Sequence, residues 1–498
     1  MPDFDSTIPG EPRQVHLAAH FPGVNNTTVW SDPASGSHIE FDSFAHLAQT
    51  AEAGLFDFFF LAEGLRLREH QGKIFDLDVV GRPNTTAVLS ALAAVTQHIG
   101  LAGTLSATFN EPFDIARRLA TIDHLSNGRA AWNVVTTSNA FTGENFRRGG
   151  YLDYADRYRR AEDFIDVARK LWDTAAGDTA AGDGTAAGVD STTAADGTFT
   201  HNSDFFDIAG RFPTGALPGG HPVVFQAGDS DSGRDFAVGS ADVIFTRHSD
   251  PESGRKFYAD VKSRLPRYGR TEDSLKIYPG ISVILGDTPD EAAERSREVA
   301  SQQVSEAGAI AFLERVWDRD LSAFDPNGPL PDVPPAAESI SQGRVKHIKD
   351  AEATIASWRQ IAEAENLTAR ELVIRVSTRH SYVGTPHQVA TDLAEAVRTK
   401  AADGFILVPH LTPGGLDEVV AKVVPELQEL GVYRTEYPEG SLRQNIGLPA
   451  ARTAADWADA RREARGTGTA ETGATETGAP EATTAGTDAP ARELKEVS

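Results

Sequence analysis

Asn127-Gly-Arg-Ala-Ala-Trp-Asn-Val-Val-Thr-Thr-Ser-Asn139 carries the reading on which the fold turns. Gly128 interrupts what precedes it, RAAWNVV (129–135) is mostly apolar, and the run ends in small hydroxyl and amide residues. A short apolar run of this kind fits a strand buried on both faces, as in a parallel sheet. Strands ending in Thr, Ser and Asn bring hydrogen-bonding groups to one edge of the sheet. In (β/α)8 barrels that C-terminal edge carries the chemistry. Asn133 and Ser138 are the candidates in this stretch. From the residues alone, the plainer reading, that they only make turn hydrogen bonds, has equal weight.

The same alternation extends in both directions. Upstream, Pro112 opens a helix that Gly128 follows, and GLAGTLSA (100–107) is a strand. Pro83-Asn84 starts a helix bearing Ala87, Ala91, Val95 and Ile99, and FDFFFLA (56–62) is a buried strand. Phe41, Phe44, Ala48, Ala51 and Leu55 share a helix face, and QVHLAAHF (14–21) is a first strand. Downstream, an amphipathic helix covers about 154–173. HPVVFQAG (221–228), DVIFT (242–246), IYPGISVIL (277–285) and GFILVP (404–409) complete the strands. Eight strands alternating with helices predict an α/β fold, a (β/α)8 TIM barrel with insertions. A doubly wound open sheet shares the pattern and is the alternative.

The chain has 498 residues, long for one barrel without insertions. We expect an N-terminal extension over 1–12, the barrel over 13–450 and a C-terminal extension over 451–498. Residues 310–380, with the Pro-rich FDPNGPLPDVPPAA (324–337), read as an insertion forming a lid. Residues 174–198 and 464–498 are dominated by Ala, Gly, Thr and acidic residues. They read as a low-complexity loop and a disordered tail, because so few large apolar groups cannot offset the entropy of ordering.

Composition removes several functions. Lys plus Arg number 47 and Asp plus Glu 72, so the net charge is 47 − 72 = −25. Such a surface repels phosphate backbones, and no nucleic-acid partner is expected. With no Cys, disulfides and thiolate catalysis are excluded. The N-terminus does not read as a secretory signal, and no apolar run reaches the ~18 residues of a membrane span. A cytoplasmic protein with no membrane partner is expected. His16 and His20 would lie roughly 13 Å apart on a strand, too far to share a metal, and no metal site is expected.

Three further stretches are candidates for binding. Tyr154-Ala-Asp-Arg-Tyr158 puts two phenols on one face at a helix start, where an anion is favoured. Taken alone, two core or rim tyrosines are the commoner reading. Gln226-Ala-Gly-Asp-Ser-Asp-Ser-Gly-Arg-Asp235 is a strand, a Gly-containing turn and a helix. Arg234 and Asp235 stand where a nucleotide triphosphate loop has Lys and Ser/Thr, but the turn's N–H groups and Ser230 suit one phosphate. An ordinary βα turn is the competing reading. Glu63, closing FDFFFLA, could accept a hydrogen bond from a ligand or cap the next segment.

In this order, these stretches resemble the bacterial luciferase-like flavin monooxygenases, specifically the nitrilotriacetate, dibenzothiophene-sulfone and long-chain alkane monooxygenase group. The resemblance rests on FDFFFLAE (56–63), TFNEPFDIARRLATIDHLSNGRAAWNVVTTSN (108–139) and DYADRYRRAEDFIDVARKLWD (153–173). It continues through QAGDSDSGRDFA (226–237), GTPHQVATDL (384–393) and the block 403–448. It covers most of 13–450, leaving out 174–198 and much of 310–380.

The resemblance implies FMN at the C-terminal face of the strands, held by Glu63, Thr104, Ser138, Tyr154, Tyr158 and Ser230. Tyr158 and Ser230 would grip the phosphate, with Ser138 beside them or along the ribityl chain. Thr104 and Glu63 would approach the isoalloxazine. The family usually has Asp at 63, often His at 154 and often Ser at 229, where this chain has Glu, Tyr and Asp. Asp229 must then turn away from a phosphate or pair with Arg234. The resemblance also implies that FMNH2 reacts with O2 to a C4a-(hydro)peroxyflavin, which passes one oxygen atom to a small organic substrate. A separate NAD(P)H:flavin reductase would supply FMNH2, and the chain would assemble as a dimer or tetramer. No catalytic side chain is assigned. Hydride transfer by a flavin or deazaflavin relative, and non-catalytic flavin binding, are the alternatives.

Overall fold

The computed structural model describes residues 13–22, 27–65, 83–136, 154–180, 198–212, 214–228, 230–248, 250–336, 351–378 and 380–471. In chain order the strands are β1 (His16–His20), β2 (Phe58–Leu61), β3 (Gly100–Ser106), β4 (Ala130–Val135), β5 (Phe199–Asn202) and β6 (Asp207–Gly210). They continue as β7 (Val223–Gln226), β8 (Val243–Thr246), β9 (Lys276–Ile281), β10 (Val283–Leu285), β11 (Tyr382–Gly384) and β12 (Gly404–Leu407). Eight of them close a barrel in the order β1-β12-β9-β8-β7-β4-β3-β2, and every neighbouring pair is parallel. The closed barrel, not the open sheet, is therefore the fold.

Side-chain alternation explains why these runs are apolar throughout. Along β2, Phe58 and Phe60 enter the barrel core, while Phe59 and Leu61 pack into the helical layer. Inside, Phe58 meets Phe225 edge-on at 4.8 Å between ring centroids, and Phe60 meets Phe245 at 4.9 Å. The barrel is thus filled rather than hollow. Outside β3, Gly103 lets the Thr85–Ala93 helix approach closely; a Cβ there would lie 2.3 Å from Thr85 Cγ2.

The end of the barrel at the strands' N-termini is closed by Leu442, Ile446 and Leu448, which join the interior cluster. Buried charges surround this plug. Asp242 accepts from the two terminal guanidinium nitrogens of Arg443, at 3.1 and 2.9 Å, and from Val224 N at 2.9 Å. Asp403 accepts from Arg13, Lys262 and Ile277 N at 2.7–2.9 Å. Asp57 takes Tyr278 Oη at 3.0 Å, His16 Nδ1 at 3.1 Å and the Arg434 guanidinium. Burial first, then Arg434, pushes His16 down to about 3, so it is neutral at pH 7. Its contact with Asp57 is a hydrogen bond rather than an ion pair.

The structure departs from the sequence expectations in several places. The single strand expected over 277–285 is two. After Ile281, β10 leaves the barrel to pair with β11. The β5–β6 hairpin was not anticipated. The Tyr154–Ala180 helix runs into the 174–198 segment, whose first residues are rich in helix-favouring Ala. The Ala454–Glu471 helix likewise enters the expected tail, and Ala460 and Ala464 are buried. Residues 181–197 and 472–498, and the 1–12 extension, lie outside the described residues. In the expected lid, the helices Glu306–Trp317, Ala351–Glu365 and Ala369–Ser377 share a small core around Trp317.

Candidate active site

Of the expected residues that are described, Thr104 lies in β3, Glu63 just beyond β2, Ser230 beyond β7, and Tyr154 and Tyr158 in the Tyr154–Ala180 helix. Thr104 is in β3 opposite Asn133 of β4, because the register pairs those two Cα positions. Both are buried at 6% and 4% exposure, and Asn133 Nδ2 donates to Thr104 Oγ1 at 2.9 Å. That bond leaves the Thr104 hydroxyl proton to donate elsewhere. It also leaves Asn133 Oδ1 buried without a hydrogen-bond partner. At the end of β7, Gln226 Nε2 donates to Val134 O at 3.3 Å, and its Oε1 is likewise buried and unpartnered. Two unsatisfied acceptors at one end of a barrel cost free energy unless a ligand donates to them.

The phosphate-sized turn lies next to them. Ser230 caps the Asp231–Ser240 helix, its Oγ accepting from Gly233 N at 3.1 Å. Arg234 N bonds to Ser230 O at 2.9 Å. Of the turn's N–H groups, those of Gly233 and Arg234 are therefore already used. The Ser230 hydroxyl proton and the first N–H groups of that helix are the donors that face outward. The turn is tight, since a Cβ on Gly228 would lie 2.7 Å from Gly233 Cα.

Tyr158, half-buried in the second turn of the Tyr154–Ala180 helix, has its ring 5.5 Å from Phe236 of the Asp231–Ser240 helix. The second turn of one helix thus packs against the middle of the other. Tyr154 is the first residue of its helix. Glu63 is half-buried two residues beyond the end of β2. Ser138 and Asp229 lie outside the described residues. Arg234, considered as a partner for Asp229, reaches Asp260 at 2.9 Å.

Sequence reasoning missed Arg160. Buried in the Tyr154–Ala180 helix, it donates to Ala107 O and, at 3.2 Å, to Asn110 O, both just past β3. Its guanidinium also covers the Phe206 ring at 4.6 Å. Arg160 therefore fixes the start of that helix, with Tyr154 and Tyr158, to the strand that carries Thr104. Sequence gave no sign of this, because an Arg in an amphipathic helix reads as surface. Among the described residues, no cluster of His, Asp and Glu could hold a metal, and no helix is long and apolar enough to cross a membrane.

With this geometry in view, comparison with known proteins assigns the family. The luciferase-like monooxygenase family model matches residues 21–403. Nitrilotriacetate monooxygenase component A of Aminobacter aminovorans is 37% identical over 432 residues, 84% of this chain and 93% of that protein. The FMNH2-dependent dimethylsulfone monooxygenase of Pseudomonas fluorescens is 29% identical over 59% of this chain and 71% of its own length. The crystal structure of a long-chain alkane monooxygenase superposes with a TM-score of 0.69 at 27% identity, covering 90% of this chain and 99% of that one. The chain belongs to the luciferase-like monooxygenases. It is an enzyme of that class, an FMN-dependent monooxygenase.

Proposed function

We propose that this chain is the oxygenase component of a two-component system. It takes reduced FMN from a separate NAD(P)H:flavin reductase, takes O2, and puts one oxygen atom into a small organic substrate. The observation that carries this reading is the buried, unpartnered carbonyl oxygen of Asn133, which alternation places on the interior face of β4, one strand over from the one-phosphate turn at Ser230. A flavin meets both demands: its hydroxyls and ring N–H groups donate, and its phosphate accepts.

When bound, FMN supplies the electrons that activate O2, so that one oxygen atom enters the substrate and the other leaves as water. The chain's own work is binding, orientation and exclusion of water. Tyr158 and Ser230 would donate hydroxyls to the phosphate, with Tyr154 and Ser138 beside them. The carbonyl of Asn133 would accept from the flavin. Thr104 and Glu63 would face its ring, Thr104 donating and Glu63 accepting. Arg160 acts through the helix it anchors, as a positioning residue.

A fluorescence titration tests the reading. FMN is expected to bind and FAD much more weakly, because the turn fits one phosphate. Ser230→Ala and Tyr158→Phe each remove one hydroxyl to a charged group, a loss of about 1.5–3 kcal/mol. FMN affinity should therefore fall roughly tenfold to 150-fold with the fold intact. Wild-type affinity in either variant removes that residue from the site.

A further inference from the structure

Building on that function, we propose that the substrate carries a carboxylate and that Arg247 receives it. The barrel order divides the catalytic mouth into two arcs. β2, β3, β4 and β7 are contiguous, and they or the loops just beyond them carry Glu63, Thr104, Asn133, Gln226 and Ser230. The other contiguous arc, β8, β9, β12 and β1, carries none of the flavin candidates.

Arg247 is the first residue after β8 in that arc. Its two neighbours turn to the outer layer. Thr246 Oγ1 and His248 Nδ1 are 2.6 Å apart, and the His248 ring is 5.7 Å from Phe257 of the Pro251–Arg264 helix. With 246 and 248 facing outward, alternation turns 247 toward the mouth. The β8–β9 register, which pairs Thr246 with Pro279, carries Arg247 alongside Gly280. Gly280 leaves room there: a Cβ would meet nothing closer than 3.9 Å, the nearest atoms being Ile406 Cγ2 and Thr246 O. Arg247 therefore stands beside a position with no side chain of its own, next to the apolar Ile406 and Phe245.

Charge points to the ligand's sign. Arg247 is exposed, and none of the described residues pairs with its guanidinium. Arg234 pairs with Asp260, Arg264 with Asp231 and Asp260, and Arg267 with Asp235, while Arg255 on the Pro251–Arg264 helix, like Arg247, has no partner among the described residues. In a chain of net charge −25, an unpaired guanidinium at the mouth is a local exception to a field that repels anions. Its planar fork fits a carboxylate through two parallel hydrogen bonds.

Calorimetry on the FMN-loaded full chain tests this, with nitrilotriacetate and succinate as probes and the neutral trimethyl ester of nitrilotriacetate as control. At least one carboxylate should bind and the ester should not. Arg247→Met should weaken the carboxylate roughly tenfold to a hundredfold, with FMN affinity changed by less than about twofold. Arg247→Lys, which keeps the charge but not the fork, should fall between. Three results overturn the proposal: no carboxylate bound by the wild type, equal binding by wild type and Arg247→Met, or weakened FMN binding in the variant. The last would move Arg247 to the flavin phosphate. A wild type that binds no FMN sinks the functional reading and this inference together; the other failures leave that reading standing.

Discussion

At the residue scale, the polar atoms at the catalytic end were only partly legible. A buried strand ending in Thr, Ser and Asn pointed to Asn133, and the Gly-containing turn pointed to Ser230. That Asn133 Oδ1 and Gln226 Oε1 lack partners depends on the register of β4 with its neighbours, which no single run of sequence encodes. Glu63 stands where the resemblance implies Asp, and its role can be separated from phosphate binding. Glu63→Asp should keep FMN affinity and much of the turnover. Glu63→Ala should lower turnover more than affinity, because the ring loses orientation while the grip at Tyr158 and Ser230 remains. A displacement of ~1 Å can cost about a hundredfold in rate. Steady-state kinetics beside FMN titration decide it, and unchanged turnover in Glu63→Ala would reduce Glu63 to a cap. His16, at the opposite end, makes a pH prediction. Its folded value of about 3 lies below its ordinary 6.5. The unfolded chain thus binds a proton that the folded one refuses, and stability is lost as pH falls from 6.5 toward 3. Asp123, raised to about 6 by burial, works in the opposite sense below pH 6, so the comparison must be with a variant. Between pH 4 and 6, His16→Asn should flatten the wild-type slope of unfolding free energy by about 1.4 kcal/mol per pH unit. Parallel slopes would show that His16 titrates normally.

At the element scale, the eight barrel strands were readable because strands buried on both faces are apolar at nearly every position. Where a strand changes partners, that signal fails. IYPGISVIL reads as one run, yet β10 pairs with β11 outside the barrel. Composition also hid the C-terminal helix, since Ala, Arg, Glu, Gly and Thr build no apolar stripe. Its anchor is Trp457, buried and within 4.2 Å of the Arg169 guanidinium, 4.8 Å of that of Arg270 and 5.5 Å of that of Arg452, measured to the ring centroid. Arg461 adds an ion pair to Asp166 and another to Glu162 at 2.9 Å. Truncation after Glu471 should therefore leave the melting temperature unchanged. Trp457→Ala should destabilise by about 3–5 kcal/mol, the usual cost of emptying a buried aromatic site. Denaturant titration measures both, and a silent Trp457→Ala would mean that the helix contributes little to the body.

At the scale of the whole molecule, the two ends of one barrel do different work. The end at the strands' N-termini is plugged by 442–448 and ringed by paired charges, which is where a barrel keeps its stability. The other end gathers unsatisfied acceptors, a capped helix start and, across the mouth, an unpaired arginine in a chain of net charge −25. The proposed division of the mouth into a flavin arc and a substrate arc rests on strand order together with the proposed site residues. Sequence reading reached the number of barrel strands but not their order around the barrel, because closure joins β1 to β12 across nearly the whole chain. The most direct test of the account is oxygen labelling. The purified chain, FMN, NADH and an NADH:flavin reductase are incubated under 18O2 with carboxylate-bearing amines, thioethers, sulfones and alkanes, and products are read by mass spectrometry. The account predicts a product carrying one 18O atom, formed only when chain, FMN and reductase are all present. A substrate oxidised without incorporated label, or none oxidised while FMN is bound, would contradict it.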